Sequence, residues 1–484
     1  MEKIYLLFVS LFCFYSCTEM EELPDNLLLS GPMTRSAGDG EYDVLGYGYD
    51  VTGEYLHPMS VRNPVLDVGK YKQDYKDRLV IGNSSFGYDR MYYGYSSSDY
   101  VKEITTETKA TYNMDCGNDK DTVFFSGNIK DNSYLKTEYS YSDKYSFASL
   151  DAIRNLKYIR INDEVTRLTH YLSDEFKEDL NRLSADRLIE RYGTHVLTDF
   201  VIGGRYKLMF RSVITKTRDA SIKKETVNSG FKSSLGKMGF EYNLDYDKTI
   251  DESLVKENQC KELYVLFYGG SGTNLKYDLE KGMPTSVDIQ GWEKSVSLGN
   301  ACLNEIIWKE TYPIYSFISD PQKREEIKTA VKRYIKSAQL NVLEVLPLKT
   351  YFHADTGKGT NHDTTTYPYD DDNRDNGWVF SRLEGFVLKK QVSGTIPLYQ
   401  YYSDTGFNHC TTTMPNMHLI YSGWVMNGLL GYVYEHSTMD TEILYEYYNA
   451  GQGDHYTSTF PTLVQSYPEY VRFEHTSGYI YPAN

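Results

Sequence analysis

The chain lacks the features that mark most enzymes and most nucleic-acid binders. Its 484 residues hold 51 Lys and Arg against 67 Asp and Glu, a formal charge of −16, which argues against a nucleic-acid partner. Tryptophan is scarce at four residues while tyrosine reaches 47, a balance suited to half-buried strands and against an all-helical bundle. Cysteine is also sparse, and no two cysteines form a C-x-x-C pair, so zinc and thioredoxin-like chemistry have no ligand pattern. Beyond residue 17 there remain Cys116, Cys260, Cys302 and Cys410. An oxidising compartment permits a Cys260–Cys302 bond that spacing alone does not establish. Neither a G-x-S-x-G elbow nor an H-E-x-x-H helix occurs, and Gly269-Gly270-Ser271-Gly272 lacks the Gly-Lys-Ser/Thr ending of a phosphate loop. The oxygen-rich run at 370–377 places its glycine one position late for a calcium loop and lacks the closing glutamate, so it reads as a solvated turn. No catalytic residue, metal site or cofactor is called for, and the chain is not expected to be an enzyme.

The N-terminus carries an address. Lys3 precedes an apolar run at 4–15 and then Ser16-Cys17. About twelve apolar residues are too few to span a bilayer and suit the core of a secretory signal. The segment resembles a bacterial lipoprotein signal, with 1–16 removed, Cys17 lipidated and 17–41 forming a tether. The acidic stretch Thr18-Glu19-Met20-Glu21-Glu22 resembles a signal for export to the outer leaflet. The protein is therefore expected to be exported and lipid-anchored to the outer membrane, facing outward, with plain secretion as the alternative. No later stretch reaches eighteen apolar residues, so no membrane-spanning helix is expected in the mature chain.

Beyond the tether lie two unlike halves. The first, at 42–337, mixes strands and helices. Ser173 and Ser184 each sit where a helix cap belongs, the second helix stopping at Gly193, and Asp320-Pro321 opens a third that carries Ile327, Val331 and Ile335 on one face. The second half, at 345–484, is an internal repeat. Pro347-Leu348, Pro397-Leu398 and Ile443-Leu444 open its units, and His362, His409 and His455 come next at steps of 47 and 46 residues. Gly385, Gly431 and Gly478 close them. Three such units, rich in aromatic and β-branched residues, predict an all-β domain of pseudo-threefold symmetry, β-prism-like or β-trefoil-like. They also resemble a tandem module of secreted bacterial proteins whose role is poorly defined.

The most informative string is Tyr192-Gly193-Thr194-His195-Val196, followed by an apolar run and Gly203-Gly204. From the residues alone it is a helix end, a strand and a bend. As a string it resembles the signature of the membrane-attack-complex/perforin (MACPF) family, departing at Val196, where the family usually has an aromatic residue. Leu45-Gly46-Tyr47-Gly48-Tyr49-Asp50, the run from Leu263 to Gly270, and Tyr312-Pro313-Ile314 resemble other family segments in the right order. The resemblance implies an α+β fold shared with the cholesterol-dependent cytolysins. In it a bent antiparallel sheet is flanked by two helical clusters that unfurl into amphipathic hairpins, and copies assemble into a β-barrel pore. It places sheet bends at Gly203-Gly204 and Gly269-Gly270, hairpins within 102–160 and 216–258, and a structural role on His195.

A barrel strand must alternate apolar and polar side chains over about nine to eleven residues, because lipid faces one side and water the other. Phe240, Tyr242, Leu244 and Tyr246 alternate with acids and an amide, and Tyr139, Tyr141, Tyr145 and Phe147 alternate with polar residues, failing only at Asp143. On periodicity alone, one-face-buried soluble strands explain both runs equally well. The charge of −16 gives no attraction to anionic lipid, so a surface receptor or glycan is the expected partner besides the target membrane. Tyr399, Tyr401, Tyr445 and Tyr447 are candidates for ligand binding, although repeated tyrosines also build repeat cores. The expected activity is a pore-forming protein, monomeric in solution and self-associating on the membrane, directed at competing bacteria or host cells. The alternative is a non-lytic glycan-binding adhesin or surface scaffold.

Overall fold

The computed structural model describes residues 40–115, 122–130, 142–216, 219–238, 250–271, 275–278, 283–287, 289–340, 342–355, 357, 359–367, 377–403 and 407–483. Cys17, Cys116, Tyr139, Tyr141, Phe240, Tyr242, Leu244, Tyr246 and the acidic run at 370–376 lie outside the described residues.

Two long strands organise the first domain. β1 (Leu79–Asn83) and β2 (Gly87–Gly94) lie end to end along one edge of β3 (Tyr145–Ile161), which pairs antiparallel with β4 (Asp199–Val213). On the far edge of β4, β5 (Gln259–Tyr268) and β6 (Cys302–Ile306) again lie end to end. The sheet is thus four strands wide at each level. β6 pairs with β4 up to Gly203 and β5 from Arg205 onward, and the β3–β4 register shifts at the same level, between Asn155 and Lys157.

The first domain also contains the helices α1 (Ser97–Thr108), α2 (Ala185–Tyr192), α3 (Ala220–Lys237) and α4 (Pro321–Ser337). Ser184 caps α2 and Asp320 caps α4 through their side chains, and Ser173 does the same for the helix Asp174–Arg182. α1 covers one face of the sheet, where Tyr100 donates to Ser149 Oγ at 2.7 Å and packs on Phe147. α3 lies on the opposite face. Its Val227, Phe231 and Leu235, spaced four residues apart, bury against Ala148, Leu150 and Ala152 of β3 and Tyr206, Leu208 and Phe210 of β4. Asn258 ties the two layers, accepting from Ser212 at 2.6 Å and donating to the Thr226 carbonyl at 2.9 Å.

Of the residues expected to line the membrane hairpins, Tyr145 and Phe147 fall within the described residues. They open β3, paired with Val213 and Arg211, and both are buried in the resting sheet. Cys260 and Cys302 are not bonded: Cys260 is an exposed thiol and Cys302 a buried one on β6.

The C-terminal half is a nine-stranded sheet made of three like units. The first comprises β7 (Val345–Asp355), β8 (Gly359–Thr365) and β9 (Val379–Leu388). The second comprises β10 (Thr395–Ser403), β11 (Asn408–Thr412) and β12 (Trp424–Tyr434), and the third β13 (Glu442–Asn449), β14 (Asp454–Ser458) and β15 (Val471–Pro482). In each, the first strand pairs with the other two. Leu348, Leu398 and Leu444 meet Val387, Val433 and Ile480 in one shared core. Two rings of hydrogen bonds close the symmetry. Thr364 Oγ1 donates to the Thr457 carbonyl (2.7 Å), Thr457 Oγ1 to that of Thr411 (2.6 Å), and Thr411 Oγ1 to that of Thr364. The amides of His362, His409 and His455 donate to the side chains of Asp454, Asn361 and Asn408 at 2.9, 3.1 and 3.2 Å.

The two halves share a packed boundary. Val345, Phe386, Leu388 and Tyr481 join the first domain's core, and Lys144 donates to the Pro482 carbonyl at 3.0 Å.

The threonine ring makes a direct prediction. Thr411→Val keeps the volume but leaves the buried Thr364 carbonyl without that donor, so it should cost about 1–2 kcal/mol in a thermal or urea unfolding experiment, and Thr457→Val about the same.

Candidate functional site

The signature string forms a staple. Tyr192 ends α2 with its hydroxyl donating to Asp179 at 2.9 Å. Gly193 then turns the chain at φ +75°, where a Cβ would meet the Tyr49 backbone at 2.6 Å, so both its conformation and its packing require glycine. Thr194 Oγ1 donates to the Tyr49 carbonyl at 3.1 Å and accepts from the Val51 amide at 3.2 Å. His195 and Val196 pair with Tyr49 and Gly48 on one side and with Pro313 and Tyr312 on the other. Three of the segments on which the family resemblance rests, near residues 48, 195 and 313, therefore meet in one small sheet.

His195 is buried between Phe124 and Trp308, edge-on to both, with Nδ1 3.0 Å from Thr194 Oγ1. Burial pushes its pKa down to about 3, so the ring is neutral and has no ready proton to exchange.

The two double glycines meet at the level where the sheet changes edge strands. A Cβ on Gly203 would lie 2.0 Å from the Arg154 carbonyl, and one on Gly204 2.9 Å from the Trp292 ring. Gly269 and Gly270 both have positive φ, and the Gly269 carbonyl accepts from Trp292 Nε1 at 2.9 Å. Trp292 thus fills the notch that the glycines open. Asn304 pins the opposite side, donating to the carbonyls of Arg154 and Gly204 at 3.0 and 3.1 Å. Sequence reading missed both residues. Gly291-Trp292, in a chain with so few tryptophans, was the available signal for the first, and nothing local marks Asn304.

The sheet's two faces differ sharply. On the α3 side β4 presents Tyr206, Leu208 and Phe210, whereas its other side presents Arg205, Lys207 and Arg211. Lys207 bonds Glu54 at 3.0 Å and Asn128 at 2.9 Å. Burial disfavours both charges of that pair, but their mutual attraction prevails, holding Lys207 at about 12 and Glu54 below the ordinary carboxylate range. Arg205 lies 4.3 Å above the Tyr268 ring and 3.6 Å from Asp151.

In the C-terminal half two of the four candidate binding tyrosines, Tyr401 and Tyr447, need correction. Tyr401 and Tyr447 are wholly buried, with hydroxyls bonded to the carbonyls of Met414 and Phe460, and Tyr399 and Tyr445 pack half-buried beside them. The strand period explains this: their neighbours Tyr402 and Tyr448 face outward, against His409 and His455. Each repeat junction places a histidine against the aromatic ring of the preceding repeat, Trp378 on His409, Trp424 on His455 and Tyr470 on His362. Among the described residues, no group of three or more His, Cys, Asp and Glu is placed to hold a metal ion.

His195 generates a pH prediction. The unfolded ring titrates near 6.5 and the folded one near 3, so the unfolded state binds the extra proton and stability is lost as pH falls below 6.5. Relative to His195→Phe, which cannot titrate, the wild type should lose thermal stability between pH 6.5 and 4, and the two pH profiles should run parallel above pH 7.

The MAC/Perforin domain family matches residues 38–344, and a domain of unknown function (DUF5648) matches 353–462. Among solved structures, a protein described as a cell invasion protein with a MAC/Perforin domain, from Bacteroides thetaiotaomicron, is 15% identical with a TM-score of 0.49, covering 75% of this chain and 72% of its own. GNIP1Aa from Chromobacterium piscinae is also 15% identical, with a TM-score of 0.45 and 85% of each chain covered. Curated proteins give no match. The family match spans more than half of the sequence and includes the staple, both double glycines and the helices on either face of the sheet: the chain belongs to the MAC/Perforin domain family.

Proposed function

We propose that this protein forms pores: its C-terminal domain binds a target membrane or a receptor or glycan on it, copies assemble side by side, and the helical segments of the first domain refold into a β-barrel. One topological observation carries the reading. Each of the two segments, 95–144 and 214–258, connects strands that are already antiparallel neighbours, Gly94 lying opposite Phe147 and Val213 opposite Gln259. A segment so placed continues the existing ladder when it straightens into a hairpin, without crossing another strand. Each is also long enough for two strands of about ten residues, the length that spans a bilayer. α1 lies in the first segment and α3 in the second.

α3 is poorly suited to stand alone. Gly230 and Gly236 interrupt it, and serine, threonine, asparagine and valine fill much of the rest, all weak helix formers. Its helicity is supported by the burial of Val227, Phe231 and Leu235 on the sheet, which makes separation from the sheet and loss of the helix one event. An exported protein anchored through Cys17 would present this machinery outward, and competing bacteria or host cells are the targets that location offers. In this reading His195 holds the staple together and performs no chemistry.

A tether tests the reading. A Cβ on Gly230 would lie 2.4 Å from Asn258 Cγ, so cysteines at the two positions have Cβ atoms within about 4 Å, the spacing a disulfide needs. Gly230→Cys/Asn258→Cys, with Cys260→Ser to remove the neighbouring exposed thiol, should bind susceptible cells but leak no dye when oxidised, and leak on reduction. Leakage by the oxidised protein would show that α3 need not leave the sheet. Binding without leakage in the wild type across a broad panel of cells would favour the adhesin reading.

A further inference from the structure

The second repeat carries a larger exposed apolar surface than the third. After β11 the chain makes a short helical turn, Met417–Ile420, which packs against β12. Met417 is buried beneath Tyr401, but Leu419 is 74% exposed and Ile420 65%, with Tyr421 exposed beside them. Val425, Met426 and Leu429 of β12 are exposed too. At the matching place in the third repeat, Tyr467 and Val471 are exposed as Tyr421 and Val425 are, but the turn Leu463–Ser466 exposes Gln465 and Ser466 in place of Leu419 and Ile420, and the strand after it exposes Arg472 and Glu474. Charge follows the same division. Residues 405–434 contain no Asp, Glu, Lys or Arg, although the chain holds 67 acidic and 51 basic residues in all.

The patch also has a defined position. Tyr432 and Tyr434, at the far end of β12, pack against the first domain's core, so the Trp424 end of the strand lies about 25 Å away along its length. It points away from the domain boundary. An apolar surface of several adjacent large side chains on a soluble chain marks a site of contact. The chain segment that carries the patch contributes no charged side chain to its rim. A chain of charge −16 is repelled by anionic lipid, and an uncharged face suits a surface that asks for no counter-charge.

We propose that this patch seats the protein on an electrically neutral, zwitterionic bilayer surface, with Leu419 and Ile420 entering the acyl boundary and Tyr421 at the headgroups. The inference rests on the pore-forming reading for its purpose, since it names the membrane contact from which assembly begins. Its energy comes from burying apolar side chains, so binding depends little on salt.

The test uses the chain from Thr18 onward in every arm, so that neither an acyl chain nor the apolar run at 4–15 can account for binding, and reads flotation with vesicles of phosphatidylcholine. The wild type should float with them, with affinity changing less than about twofold between about 0.1 and 1 M salt, and Trp424 fluorescence should shift to the blue. Leu419→Asp/Ile420→Asp should weaken binding on the order of a hundredfold, while Gln465→Asp/Ser466→Asp in the third repeat leaves it unchanged. Unaltered thermal unfolding of both variants shows that they fold. Three results would overturn the proposal: flotation unaffected by the Leu419/Ile420 variant, flotation only when phosphatidylglycerol is added, or a wild-type dimer that the variant dissolves, which would assign the patch to a second copy. Leakage is not read here, so a protein that floats through this patch yet never leaks on any cell contradicts the pore-forming reading and leaves the docking surface standing.

Discussion

The packing of three apolar side chains, Val227, Phe231 and Leu235, against the β3–β4 pair is the contact on which the rest of the structure depends. It covers one face of a strand pair whose other face is also covered, so β4 is buried from end to end. It gives α3 the stability that its own sequence does not supply. It also hides the side of β4 that carries Tyr206, Leu208 and Phe210, opposite the side that carries Arg205, Lys207 and Arg211. Both faces of β4 are covered, one by α3 and the other by the first domain's core together with the partners of Lys207 and Arg211.

Elements far apart in sequence hold this arrangement in register. The staple of Gly48, His195 and Pro313 fixes the entry and exit of the sheet, and Trp292 and Asn304 fix the level where its edge strands change. Neither lies on α3, so the helix is able to leave without dismantling them. Asn258 bridges sheet and helix, bonding both Ser212 on β4 and Thr226 on α3, so one of those bonds would have to part for the helix to separate from the strand. Lys224 adds a second link, pairing with Glu103 at 2.8 Å and joining α3 to α1. That pair links the two helical segments.

Much of this was legible in the sequence where a local signal coincided with a local cause. Ser184, Gly193 and Asp320-Pro321 marked helix ends because capping and positive φ are properties of single residues. The His362, His409 and His455 spacing marked the repeats because each unit solves the same packing problem, and the rings of threonine and histidine contacts show why those positions recur. What could not be read was phase and partnership. The tyrosine-rich strands of the repeats could place Tyr401 or Tyr402 outward with equal ease, and only the core beneath decided for Tyr402. For Tyr145 and Phe147 the period alone does not distinguish a strand of this sheet from a strand of a barrel wall, because the two share it. Whether Cys260 and Cys302 pair stayed open for a similar reason: proximity in three dimensions is not written in spacing.

The central claim is that α3 leaves the sheet when the pore forms. The most direct measurement places spin labels at Lys237 on α3 and at exposed Lys76 beside β1, and tracks the distance between them by pulsed electron resonance, first in solution and then on membranes that are leaking. The account predicts one narrow distance in solution, replaced by a longer and broader distribution in the leaking sample. A distance unchanged while the membranes leak would contradict it.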